Sequence, residues 1–277
     1  MTERLPIGVN LRSIGVDFAW WLASAQRLEA AGYEAVYCWD HFLSRGDRTS
    51  PVLEAWTTLS AVAARTDRIL LGTFVANVMN RHPAVLARMS ATFQEMSGGR
   101  LRLGIGIGGH LAEHRAYGIP FPEPAERAER LEEAVAVLRA LWSGGPVSRA
   151  GRFYPLVEAH AFPRPVPAPR IIIGGETAAG ARLAGRIGDG WTAFIETFER
   201  DVPAYLEALA GAQRRRADQV VLVGYQFGPK GSLAGSPWVT EPRAELDRWR
   251  VLGADGAVVM ARTTADIDLL VEAARRW

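Results

Sequence analysis

Hydrophobic positions recur along the chain in one repeating two-part pattern, and residues 68–109, RILLGTFVANVMNRHPAVLARMSATFQEMSGGRLRLGIGIGG, display it most clearly. A continuous apolar, β-branched run from Arg68 to Val75 suits a strand buried on both faces of a parallel sheet. Val85, Met89, Phe93 and Met96 then share a helical stripe, Ser97-Gly98-Gly99 supplies a C-cap, and a second apolar run ends in massed glycines. The same reading predicts strands over 6–11, 33–39, 69–75, 101–107, 170–173, 190–194, 220–227 and 257–261. Helical stripes follow them: Trp21/Ala25/Leu28, Ala55/Leu59/Val62, Val85/Met89/Phe93, Leu131/Val135/Leu138/Trp142, then 178–187, 202–209, 243–252 and 265–275. Eight βα units match an α/β fold of the (β/α)8 TIM-barrel kind, one domain over residues 1–277. A doubly wound open sheet would close after about five or six strands. Two segments interrupt the alternation: 109–124 after the fourth strand, and the proline-rich 143–169 before the fifth, long enough to be either functional or a solvated linker.

Composition narrows the class. With 277 residues, 48% of them hydrophobic, the chain can bury a sizeable core. The net charge of +2 is nearly neutral and Lys230 is the only lysine, so nucleic acid is not an expected partner. The single cysteine, Cys38, excludes an intrachain disulfide. MTERLPIGVN has no apolar core of a signal peptide and no run reaches membrane-spanning length, so a cytoplasmic location with no membrane partner is expected.

In a barrel, chemistry gathers where the strands end. Those exits hold Asn10 and Arg12, Asp40-His41, residues 75–77, 106–110, 174–177 and 194–196, Gln226, and residues 260–262. Gly104-Ile-Gly106-Ile-Gly108-Gly109 matches GxGxxG formally. Pro120, Pro122 and Pro124 follow where a dinucleotide fold needs a helix, so the glycines read as a backbone platform for a ring system or as plain tight-turn residues. Gly174-Gly175-Glu176-Thr177 opens a helix and reads as an anion site or as an ordinary N-cap. Asp40-His41 is the best candidate for proton chemistry, with an exposed acid beside an imidazole, against a structural histidine and a turn-forming aspartate. His110 and His114 stand i, i+4 with Glu113 between them; HLAEH is not HEXXH and no third ligand is placed, so no metal is expected.

These residues together resemble the luciferase-like monooxygenase family, in particular its branch using the deazaflavin coenzyme F-420. The resemblance rests on CWDHF at 38–42, the segment 72–109, GRFYPL at 151–156, PRPVPAPRIIIGGET at 163–177 and GDGW at 188–191. It implies a TIM barrel with a deazaflavin or flavin ring over the strand ends, a non-prolyl cis peptide near Phe74-Val75, and Asp40 and His41 beside the ring's reactive edge, with His41 exchanging the proton. Phe74, Val75 and Asn77, the strand-four turn Gly106, Ile107, Gly108 and Gly109, and the phosphate turn Gly174, Gly175, Glu176 and Thr177 would hold the cofactor. Some sugar-phosphate dehydrogenases of the family carry a catalytic glutamate where Gly109 stands, and lysines against the phosphate. The resemblance therefore implies hydride transfer to or from a small, uncharged or apolar substrate, with Trp39, Phe42, Phe74, Phe194 and Trp238 as pocket walls. Its alternatives are a monooxygenase using reduced FMN and a cofactor-free binding protein. Relatives suggest a homodimer.

Overall fold

The computed structural model describes residues 5–228 and 231–277. The strands predicted from apolar runs form where they were expected: β1 (Leu5–Leu11), β2 (Tyr33–Cys38), β3 (Leu70–Asn77), β4 (Leu101–Gly106), β7 (Arg170–Gly174), β8 (Gly190–Phe194), β9 (Val220–Tyr225) and β10 (Gly256–Ala261). All eight pair in parallel and close into a barrel in the order β1-β10-β9-β8-β7-β4-β3-β2. Helices α1 (Phe18–Ala30), α2 (Ala55–Ala63), α3 (Pro83–Met96), α5 (Pro124–Trp142), α6 (Ala178–Ile187), α7 (Ile195–Gly211), α9 (Pro242–Val251) and α10 (Thr264–Ala274) cover it.

Alternation along the strands builds two cores. On β2, Val36 and Cys38 face the helices, whereas Ala35 and Tyr37 join Phe74, Ile172, Leu222 and Val258 in a separate cluster filling the barrel. Tyr37 and Phe74 lie with ring centroids 5.6 Å apart, and Phe74 meets Phe194 edge-on at 6.1 Å. This aromatic plug is the floor beneath the strand exits.

One predicted stripe is off by a position. Phe93 is buried and Met89 half-buried as expected, but Val85 and Met96 are 51% and 55% exposed, and α3 buries Leu86, Ser90 and Gln94 in their place. Two polar residues can take core positions because each is bonded there. Ser90 Oγ donates to the Leu86 carbonyl at 2.7 Å, while Gln94 donates to the Pro167 carbonyl at 2.8 Å and accepts the Leu101 N–H at 3.0 Å.

The two interruptions are also ordered. Residues 109–124 contain a short helix, α4 (Leu111–Tyr117), and 143–169 contain an antiparallel hairpin of β5 (Val147–Arg149) and β6 (Leu156–Ala159). Glu133 on α5 accepts the Phe153 and Tyr154 N–H groups and fixes the passage to the barrel wall. A last short helix, α8 (Pro237–Thr240), precedes α9.

At the opposite end, carboxylates clasp the strand starts. Asp189 accepts the Ile171 N–H at 3.0 Å and Asp255 the Val221 N–H at 2.7 Å, each from the residue just before its own strand. Glu29 on α1 accepts the N–H groups of Asp67, Arg68 and Ile69 through one oxygen. Partial burial would raise its pKa, but the three donors and the Arg68 charge outweigh it and hold the carboxyl below its ordinary 4.5. The unfolded chain therefore binds this proton first on acidification. The clasp stabilises fully above the ordinary value and is lost as pH falls through the lowered one. Glu29→Gln should cost about 1 kcal/mol at neutral pH. It should also flatten the acid limb of a urea-unfolding series run from pH 7 to pH 3, and an unchanged limb would refute this role.

Candidate active site

Asp40 follows the exit of β2 and is 3% exposed. A buried carboxylate needs its charge met, and here both oxygens are taken. Arg81 grips them bidentately, with Nη1 to Oδ2 and Nη2 to Oδ1 both 2.8 Å, and the Asn77 N–H donates to Oδ2 at 2.9 Å. Asn80 donates to the Asp40 carbonyl at 3.1 Å, and Glu54 stands 3.5 Å from the same guanidinium. The exposed acid expected beside His41 is thus a desolvated anchor joining the ends of β2 and β3.

The carboxylate that faces His41 is Glu113, on α4. It is 1% exposed, and its Oε2 accepts the Phe42 and Leu43 N–H groups at 2.8 and 3.0 Å while lying 3.3 Å from His41 Nδ1. Burial raises its pKa, yet the His41 ring and the two backbone donors more than compensate and bring it to about 2. An ionised Glu113 favours the proton on Nδ1 of His41, which leaves Nε2 as the second site on the ring. Glu113 escaped the sequence reading because it stood as a spacer inside HLAEH. Its signal was an acid in the first turn of a helix immediately beyond a glycine-rich strand exit.

The two flanking histidines part company. His110 turns its Nδ1 to within 3.5 Å of Glu113 and packs edge-on against His41, with centroids 5.7 Å apart. His114 is fully buried on the other side, its Nε2 2.7 Å from the Asn77 amide and its ring 4.3 Å from Phe121. Burial lowers the pKa of both, with Arg45 adding to the effect at His110.

Between β3 and β4 the register slips by one residue, from Thr73↔Leu103 to Ala76↔Ile105, and the Phe74-Val75 peptide is cis. The bulge turns Val75 over its neighbours, and those neighbours lack side chains. A Cβ at Gly106 would come within 3.0 Å of Val75 Cγ2, and one at Gly174 within 2.9 Å. Gly106 of β4 and Gly174 of β7 therefore leave the room that Val75 occupies. Gly108 has φ of 75° and its Cβ would fall 2.4 Å from the Asn77 side-chain oxygen. Arg127, reaching from α5 across the Phe121 ring, donates to the carbonyls of Ile107 and Gly108 and fixes the turn. The second turn is pinned as tightly. Thr177 Oγ1 accepts the Gly180 N–H at 3.1 Å, and Trp191 on β8 donates from its indole to the Gly175 carbonyl at 3.0 Å. Trp191 is itself stacked between Phe198 and Tyr205.

One cavity of about 1010 Å³ lies over the barrel mouth, lined by Asp40, His41, Phe74, Val75, Asn77, Gly106, Ile107, Gly108, Gly109, Gly174, Gly175, Glu176 and Thr177. Every cofactor and proton-transfer residue expected from the sequence borders it. Among the expected aromatic walls, Trp39, Phe74 and Phe194 line the cavity. Phe42 instead packs on Tyr117, and Trp238 is buried against Tyr225. Arg12, Arg45 and Arg262 add cationic groups to the rim.

The sequence profile of luciferase-like monooxygenases matches residues 8–229. The chain belongs to this family. Among luciferase-like relatives it is 33% identical over 269 residues to an F420-dependent glucose-6-phosphate dehydrogenase of Kribbella flavida, covering 91% of this chain and 78% of the relative. It is 35% identical over 202 residues to an F420-dependent hydroxymycolic acid dehydrogenase of Mycobacterium tuberculosis, covering 73% of this chain and 56% of that protein. The luciferase-like fold is shared with an F420-dependent secondary alcohol dehydrogenase crystallised with an F420-acetone adduct, at a TM-score of 0.83, 21% identity and 98% coverage of both chains.

Removing Asp40 would leave the Arg81 guanidinium, which is 11% exposed, with only the long 3.5 Å contact to Glu54. Asp40→Ala should destabilise the protein by about 3–5 kcal/mol in denaturant unfolding, the cost of an unpaired buried charge. A loss below about 1 kcal/mol would mean that the pair does not anchor the site.

Proposed function

We propose that this protein is an oxidoreductase dependent on coenzyme F420 that transfers a hydride to or from a small organic molecule, with His41 giving or taking the accompanying proton. The observation that carries this reading is the His41 imidazole in the cavity wall with its Nδ1 held by the ionised Glu113. The names of the relatives support the cofactor. So does the fit of the cavity: the Gly109 Cβ direction is open for at least 4 Å, and Thr192, whose buried hydroxyl has no partner, lines the wall beside the Gly174 turn. Bound deazaflavin supplies a carbon centre, C5, that accepts or donates hydride.

The chain's own residues do the rest. Glu113 orients the His41 ring so that Nε2 carries the proton traffic, as a carboxylate does for a catalytic histidine elsewhere. Asp40 and Arg81 keep His41 in register with the β3 bulge. Val75, the strand-four turn and the β7 turn give the ring system and its anionic tail a rigid, water-poor seat. Gly109 stands where the resemblance places the glutamate of the sugar-phosphate dehydrogenases, so the substrate proposed is another small molecule. A homodimer is proposed as the assembly, with the exposed Val85 and Met96 of α3 available to be covered; sedimentation equilibrium at micromolar concentration would read a monomer mass if this is wrong.

Parallel titrations with F420 and FMN, each oxidised and reduced, test the cofactor. Binding of F420 alone is expected. Preference for FMN would replace the reading with an oxygen-using monooxygenase, and binding of neither would leave a cofactor-free scaffold. His41→Ala should keep F420 affinity within about tenfold, or 1.4 kcal/mol, while turnover falls about a hundredfold or more. Unchanged turnover would remove His41 from proton transfer.

A further inference from the structure

HLAEH does not form a metal pair, but the fold brings a third residue to it. His41, His110 and Glu113 each offer one ligand atom, all within 4.8 Å of one another. We propose that these three side chains form a binding site for a divalent transition ion of the zinc class, distinct in chemistry from the cofactor seat beside it.

Two of the three separations match those of co-ligands, and all three lie within 4.8 Å. Two donors about 2.0–2.1 Å from a tetrahedral zinc lie about 3.3 Å apart. Glu113 Oε2 is 3.3 Å from His41 Nδ1 and 3.5 Å from His110 Nδ1. His110 Nδ1 is buried and makes no hydrogen bond of good geometry; the one acceptor facing it is Glu113 Oε2 at 3.5 Å, a ligand of the same proposed site. The carboxylate has a free side as well: its Oε2 serves Phe42 and Leu43, while Oε1 has only the His41 ring, at 3.5 Å. Two imidazoles and one carboxylate make a three-ligand set with room for a fourth, and His41 borders the cavity where that position would open. Arg45 on the rim acts on His110 and opposes a cation there, an effect that solvent exposure reduces. Metal on Nδ1 leaves His41 a single ring proton, on Nε2, and separates the ring from Glu113. Occupation therefore opposes the proton role proposed for His41.

Calorimetric titration of the metal-free full chain with Zn²⁺, without cofactor or substrate, tests the site independently of the cofactor reading. The expected result is one ion per chain with micromolar or tighter affinity. His110→Ala and Glu113→Gln should each weaken it at least about tenfold; the glutamine keeps an oxygen for the Phe42 and Leu43 N–H groups, so folding is preserved, as circular dichroism would verify. His160→Ala, an exposed histidine outside the cluster, should leave binding unchanged. Co²⁺ in place of Zn²⁺ should give the intense visible absorption of a four-coordinate ion. Affinity weaker than millimolar, or binding insensitive to His110→Ala, overturns the proposal whatever cofactor the protein takes.

Discussion

The bidentate contact between Arg81 and Asp40 sets the distance between the ends of β2 and β3, and the rest of the barrel mouth is built from that distance. Asp40 also takes the Asn77 N–H, and the Asn77 side chain in turn meets Asn80, Met79 and His114. A charge pair at this depth repays its desolvation only when its geometry is complete. Once complete, it holds the loop carrying His41 against the bulge of β3, and a loose strand exit becomes a fixed frame.

Glu113 works on that frame from the far side. Its carboxylate closes the backbone of Phe42 and Leu43 and meets two imidazoles, so the loop after β2 is gripped at its start by Arg81 and in its middle by α4. The same negative group that holds His41 Nδ1 in the proposed proton exchange is the third donor of the proposed cation site. The two uses compete for one ring nitrogen.

The barrel was legible in the sequence because buried parallel strands are written as unbroken apolar runs, and the exits of those runs pointed to His41, Val75 and both glycine turns without further information. Other features needed the third dimension. The face of α3 was misread because Ser90 and Gln94 satisfy themselves inside the core, where a hydropathy pattern expects Val85 and Met96. The burial of Asp40 leaves no local trace, because Arg81, which covers it, stands forty-one positions later. Glu113 and Arg127 were passed over for the same reason: each acts on backbone groups of a distant segment, and such contacts leave no periodic trace.

Val75 fits its bulge because Gly106 and Gly174 carry no side chain, while Gly104 is kept bare by the Thr73 carbonyl, against which its β-carbon would stand. Val75, Gly106 and Gly174, one on each of three neighbouring strands, therefore interlock as one unit. A β-carbon gained at position 106 or 174 meets Val75 before anything else, and a smaller residue at 75 would leave both glycines uncovered. Such interlocking keeps a mouth of bare backbone bare: the empty positions are guarded from within, by a residue whose side chain carries no reactive group.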